Sequence, residues 1–455
     1  MATAWTSYKP TQDAPLNVRR VVHLHRRAGF AATWSEIQRD LKDGPQASID
    51  RLLAGKARSQ GVPDNFERIA DLLGDRAVAE ADPGHLKAWW VYRMLFGLDP
   101  LGERLALLWH NHFATSNSKV ANVGYMRQQN DVFRRLARAP FGELLGEAVR
   151  SPALLIWLDA SVNSKGLPNE NLGREVMELF TLGVGHYTGA DVKEAARALT
   201  GWTVKDGKFY ENPERHDDDD KTILNKQGKW HGGDLLRILL EQPATADRLA
   251  VRLCSAFMGE KAVNAAGLQA LAADLREHKL DVGRAVETIL RSQEFFAAAN
   301  LGTRVTEPIE YVVGAARALE LFEPLPSTLA LADWSARLGQ ELFYPPNVFG
   351  WPGGRAWITP RSALRRVNYA TALIDGPAVG RAEKVDALAL ARRHDKAADL
   401  ESCLRFFVEL LVGSDWSPAW GERLLAGLGP RPDITPETLQ QAAALVLASP
   451  EAQLG

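Results

Sequence analysis

Glu170, Asn171, Arg174, Glu175 and Glu178 fall on one arc of a helical wheel drawn through Asn169–Phe180, at ~100° per residue. Leu172, Val176, Leu179 and Phe180 occupy the opposite arc, so the segment reads as an amphipathic helix. The polar arc holds three carboxylates, one guanidinium and one amide. Glu175 and Glu178 are three residues apart, which brings Cβ atoms to ~5–6 Å on a helix. If that face lines a cavity, Arg174 can hold one carboxylate ionised while burial raises the pKa of another. That division gives two carboxyl groups separate acid and base roles. Asn169, Glu170 and Asn171 would then contact substrate. A solvated helix face accounts for the same stripe without any chemistry.

The segment that follows supplies further candidates. Gly183 and Gly185 are placed to end the helix, and Thr188 with Asp191 forms a capping box for a next helix over Ala190–Leu199. His186 and Tyr187 sit in the corner between the two helices, where they could bind substrate. His216 beside Asp217 could ligate a metal or act as an oriented acid/base pair. The run Asp217–Asp220 could equally be a solvated loop or a weak calcium site. It lacks the loop glycine and distal glutamate of an EF-hand, and the chain has no His-Glu-x-x-His or Cys-x-x-Cys pattern. No metal or cofactor is assigned at this level.

His112 closes an amphipathic stretch, Glu103–His112, on its apolar side. It reads as a core histidine, or as a proton carrier whose pKa the helix C-terminus raises. Trp351 and Trp357, with Arg355 and Arg361 nearby, could form a stacking platform for flat ligands, with Trp202 as a further binding residue. Packing beneath the long Phe343–Pro360 segment is the simpler reading. Nucleotide-binding glycine loops, a Gly-x-Ser-x-Gly elbow and kinase motifs are absent.

These residues need a scaffold, and periodicity says it is helical. Apolar residues recur at three- and four-residue spacing through His85–Trp90, Glu103–His112, Ala244–Met258 and Glu307–Phe322. The expected fold is mainly α, a multi-helical array with long Pro/Gly/Trp loops and at most small β-hairpins. One hairpin is expected around Lys205–Lys208, between Trp202–Val204 and Phe209–Tyr210. Three stretches share one device: an amphipathic helix followed by Ser151, Ser292 or Ser449, each suited to cap the next turn. At 455 residues the chain divides into a helical core, 1–377, and a C-terminal helical subdomain, 378–455.

Composition excludes some functions. Lys and Arg total 54 against 56 Asp and Glu, a net charge of −2, so no global field favours nucleic acid or an anionic membrane. No apolar run approaches the ~20 residues of a membrane span. Cys254 and Cys403 lie in apolar helical stretches and read as buried thiols. The first ten residues show no leader-like apolar region, so a cytoplasmic location is the default expectation.

The motif Asn169–Trp202 resembles the bacterial family called domain of unknown function 1800. The resemblance extends to Asn111-His112, His216-Asp217 with Lys221, Glu307-Pro308, Pro345-Pro346 and Gly350–Pro352, and covers about 17–377. Two positions depart from the pattern: Phe180 and Asp219 stand where the family often has His and Gly. The resemblance implies an uncharacterised protein encoded beside a second family, domain of unknown function 1501, which is similar to sulfatases. It thereby suggests a sulfatase-like partner protein.

Two functional expectations follow. One is a hydrolase or lyase acting on a polar, carbohydrate-like substrate, with Glu175, Glu178, Arg174, His112, His216 and Asp217 as catalytic groups converging in one cleft. The other is a non-catalytic helical scaffold or assembly partner, with the motif as a buried ion-pair network saturating Arg174.

Overall fold

Proline and a capping side chain mark where many of the helices start. Asp82, Asp99, Ser151 and Thr435 each cap a helix whose first residue is proline. Proline lacks the N–H that the first turn leaves unpaired, and its fixed φ suits helical entry. The computed structural model describes residues 5–259, 262–429 and 432–455; the first four residues of the stretch read for a leader lie outside them. Among the described residues the chain is an array of α-helices with two small antiparallel sheets, as periodicity predicts.

Two helices form its centre. Pro100–His112 and Pro308–Ala318 are buried on nearly every face, which is the signature of helices enclosed by other helices. The first carries Leu101, Leu105 and Trp109 into the core at 0% exposure. Trp109, His112, Phe113, Phe141 and Phe180 make a continuous aromatic cluster.

A buried ion-pair cluster joins the two helices. Glu310, on the second, forms an ion pair with Arg104 of the first at 2.8 Å and accepts hydrogen bonds from Arg304 at 2.7 Å. Glu307 accepts from Arg104 at 3.3 Å and from the Gln340 amide at 2.9 Å. Burial opposes the ionised form of Glu310, but Arg104 and Arg304 outweigh it and hold its pKa below the usual carboxylate range.

The expected hairpin forms. Strands β1 (Trp202–Lys205) and β2 (Lys208–Glu211) pair with Trp202 opposite Glu211 and Lys205 opposite Lys208. Asp206 and Gly207 both take positive φ, which a two-residue turn matching the strand twist requires. A second hairpin, β3 (Lys221–Ile223) with β4 (Lys226–Gly228), turns through Leu224 and Asn225 at positive φ. Leucine there carries no turn signal, so this hairpin was not legible in the sequence.

The three serines act as expected. Ser151, Ser292 and Ser449 accept from the backbone N–H of Leu154, Phe295 and Ala452. The C-terminal helices pack onto earlier ones: Leu400–Val412 against Val18–Arg27, and Pro436–Ala448 against Pro360–Asp375. Both cysteines are buried and free. No described helix is long and apolar enough to cross a membrane.

Removing one partner from a buried ion pair leaves the others desolvated and unpaired. Glu310→Ala is therefore expected to cost about 3–5 kcal/mol of unfolding free energy, measured by urea denaturation. A loss below about 1 kcal/mol would show that water reaches this cluster.

Candidate functional site

The helix at Asn169 starts as expected and then changes character. The Asn169 side chain caps it by accepting from the Asn171 N–H at 3.0 Å. Glu170–Glu175 is α-helical, but Val176–Leu182 is a π-helix. The Gly183 N–H donates to the Glu178 carbonyl, five residues back, at 3.1 Å. Thr181 secures the wider turn by donating its hydroxyl to the Val176 carbonyl at 2.7 Å. π-Turns are rare and concentrate at functional sites.

The single polar arc of the α-helical wheel is corrected in two ways: beyond Glu175 the 100° spacing no longer holds, which affects Glu178, and within the α-helical turns the charged residues already divide between surface and interior. Arg174 is exposed and pairs with Glu170 at 2.7 Å, an i,i+4 surface pair. Glu175 turns inward to 9% exposure. Its carboxyl makes no hydrogen bond or ion pair with any described residue. Burial raises its pKa, and the neighbouring Glu178 raises it further against the pull of Arg174.

Glu178 is half-buried and accepts the Tyr187 hydroxyl. Burial, with this bond to Glu178, pushes the Tyr187 pKa up to about 12. Arg248 belongs to this group and was missed by the sequence reading. It donates Nε to the Leu179 carbonyl at 3.0 Å, and Glu178 and Tyr187 stabilise its charge against burial. Its signal was one more arginine on an amphipathic helix, Pro243–Met258, some seventy residues from the motif. Glu175, Glu178, Tyr187 and Arg248 thus form one polar group at the π-turn, with His186 exposed at its edge.

The other candidates stand outside this polar group. His112 is a core histidine. Its Nε2 lies 3.1 Å from the Phe180 carbonyl within the aromatic cluster. Burial drives its pKa well below the usual value, and Arg252 and Arg248 push the same way. Desolvation therefore overrides the helix-end effect that would have raised it. Trp202, Trp351 and Trp357 are 1%, 4% and 4% exposed, so they pack rather than offer a stacking face. Gly232 explains part of this: a Cβ there would lie 2.1 Å from the Trp202 ring. The Trp351 N–H donates to the Asn111 side chain at 2.7 Å, joining the Asn111-His112 and Gly350–Pro352 motifs. Asn171 donates to Asp159 at 3.3 Å.

His216 and Asp217 do not form a dyad. Asp217 pairs with Arg197 at 2.8 Å, while His216 Nδ1 lies 2.9 Å from the Thr200 carbonyl. In the aspartate loop a cation of the chain itself is already present: buried Lys221 donates its ammonium to the Asp217 and Asp219 carbonyls. Among the described residues, Glu211, His216 and His231 are the group whose donor atoms come close enough to hold a metal.

The chain belongs to the family described as "Protein of unknown function (DUF1800)", whose pattern matches residues 23–454. That match extends past the motif region into the C-terminal helices. No curated protein and no solved structure matches the chain.

Arg197 lowers the pKa of Asp217 through its hydrogen bonds, outweighing burial. A lowered carboxylate pKa adds stability above its unfolded value, near 4, which is lost as pH falls through the folded one. Asp217→Asn is thus expected to lower Tm at pH 7, with the gap to the wild type closing on acidification. A gap that stayed constant with pH would remove the ion pair from the account.

Proposed function

We propose that the chain is an enzyme whose π-turn group moves protons on a polar substrate, in hydrolysis or elimination. The observation that carries this reading is Glu175: a residue at 9% exposure whose carboxyl has no protein partner, beside a second carboxyl. Burying an unpaired acid costs free energy, and a stabilising role would have supplied a partner. Its raised pKa suits a general acid. Glu178, oriented by Tyr187 and facing Arg248, serves as the paired base. Arg174, His112, His216 and Asp217 have no part in this reading. The buried tryptophans leave no argument for a sugar, so the substrate class stays polar.

The scaffold alternative required Arg174 to be saturated by buried carboxylates. Its exposed single pair with Glu170 does not favour that.

The test uses Glu175→Gln and panels of chromogenic esters, glycosides and phosphate esters. Wild type is expected to turn over at least one class. The variant should lose roughly 10²–10⁴-fold in kcat. Wild-type activity should fall as pH rises through the raised Glu175 pKa, because the acid form is consumed there. The variant's stability should match or exceed wild type at neutral pH, since a raised carboxyl pKa costs stability above its unfolded value. Equal turnover by both proteins, or a clear drop in Tm for the variant, would overturn the proposal.

A further inference from the structure

The group around His216 shares no residue with the π-turn group and comes from three separate pieces of chain. Glu211 ends β2, cross-strand from Trp202. His216 follows the short 3-10 turn Pro213–Arg215. His231 stands at the start of the Gly232–Leu240 helix, its N–H donating to Asp234 at 3.2 Å. One ligand atom from each of the three lies within 4.8 Å of the others. His231 Nδ1 is 3.0 Å from a Glu211 oxygen, and the two imidazoles stack with centroids 4.0 Å apart.

The hydrogen bonds of His216 say which nitrogen is free. The Thr200 carbonyl, 2.9 Å from Nδ1, has no proton to give, so Nδ1 carries it. The Thr200 hydroxyl cannot reverse this, because it donates to the Arg197 carbonyl at 2.7 Å. In a neutral ring the lone pair is therefore on Nε2. That atom is buried and has no partner, in a residue only 3% exposed. A histidine whose other N–H is fixed on a backbone carbonyl, with a lone pair left unused, is prepared as a metal ligand. A histidine that only packed would leave this acceptor buried at a cost.

We propose that Glu211, His216 and His231 bind a divalent first-row transition cation of the zinc type. Two imidazoles and one carboxylate suit that class, and three protein ligands leave a fourth position for water or substrate. His216 and Glu211 supply a fixed and a half-exposed ligand. The His231 side chain is 50% exposed, so it can swing out of the stack to place a ring nitrogen on the cation. The bond between His231 and Glu211 is exchanged for two bonds to metal. The cation would tie the β1–β2 hairpin to the helix that begins at Gly232.

The experiment uses the full chain, stripped with chelator and titrated with zinc chloride by calorimetry. Cobalt(II) serves as a spectroscopic probe of ligand geometry. One zinc per chain is expected, with a tetrahedral visible band for cobalt. His231→Gln and Glu211→Gln change exposed or half-exposed side chains, so folding should persist and is checked by circular dichroism. Each should weaken zinc binding roughly tenfold or more, and His278→Gln, a histidine outside the group, should leave it unchanged. A wild-type chain that takes up no stoichiometric zinc would overturn the proposal. So would binding that survives both substitutions. Neither result depends on the π-turn reading, because binding is read without turnover.

Discussion

The carboxylate of Glu310 is the interaction on which the centre of this fold turns. Two enclosed helices, Pro100–His112 and Pro308–Ala318, meet there through Arg104 and Arg304. Glu307 extends the cluster to Gln340, and Arg366 reaches the Thr306 carbonyl at 2.8 Å. The Arg304 backbone in turn pairs with Gly455, so the last residue is held at the same place. Burying such charges returns little net energy, because desolvation offsets attraction. What the cluster does supply is a demand for registry: an apolar helix can slide on its neighbour, but a guanidinium held by two carboxylates cannot. The aromatic cluster beside it fills volume, and the ion pairs fix which residues meet.

That rigidity bears on the π-turn. Phe180 sits in the aromatic cluster, and its carbonyl lies against His112 on the central helix. Asn169 and Asn171 anchor the other end of the same segment through Asn163 and Asp159. With both ends held, the wide turn Val176–Leu182 keeps its place on the central helix. Glu175, the last α-helical residue before it, faces inward, while Arg174, ~100° round the helix, remains in solvent.

Much of the scaffold was legible in the sequence because local chemistry wrote it. The capping box at Thr188, the serine caps and the Asp-Gly turn of the first hairpin each involve residues within a few positions of one another, and each formed. The polar group was legible only as a neighbourhood. Its composition changed because Arg174 pairs with Glu170 at the surface while Tyr187 and Arg248 are brought in by packing, and the π-turn itself leaves no periodic mark. Arg248 and Glu211 were missed for a related reason: each is brought in by packing of an element remote in sequence. His112 and the tryptophans went the other way. Their residue types suggested chemistry, but the depth of the core decided for packing. A desolvated histidine beside two arginines is kept neutral whatever the helix end offers.

The two polar groups differ in what burial does to them. At the π-turn, burial acts on an acid with no protein partner, so the protonated form is favoured. At His216, burial acts on an imidazole whose one proton is already fixed on Thr200, so a lone pair is retained instead. The first arrangement stores a proton donor and the second an electron-pair donor. Both cost the fold free energy that a hydrophobic residue of similar size would not. In a chain that pairs its deeply buried carboxylates, at Glu36, Glu103 and Glu310, with arginine, Glu175, 9% exposed and without such a partner, stands apart. It is that internal contrast, rather than the polarity of the motif itself, that supports reading the π-turn group as a site.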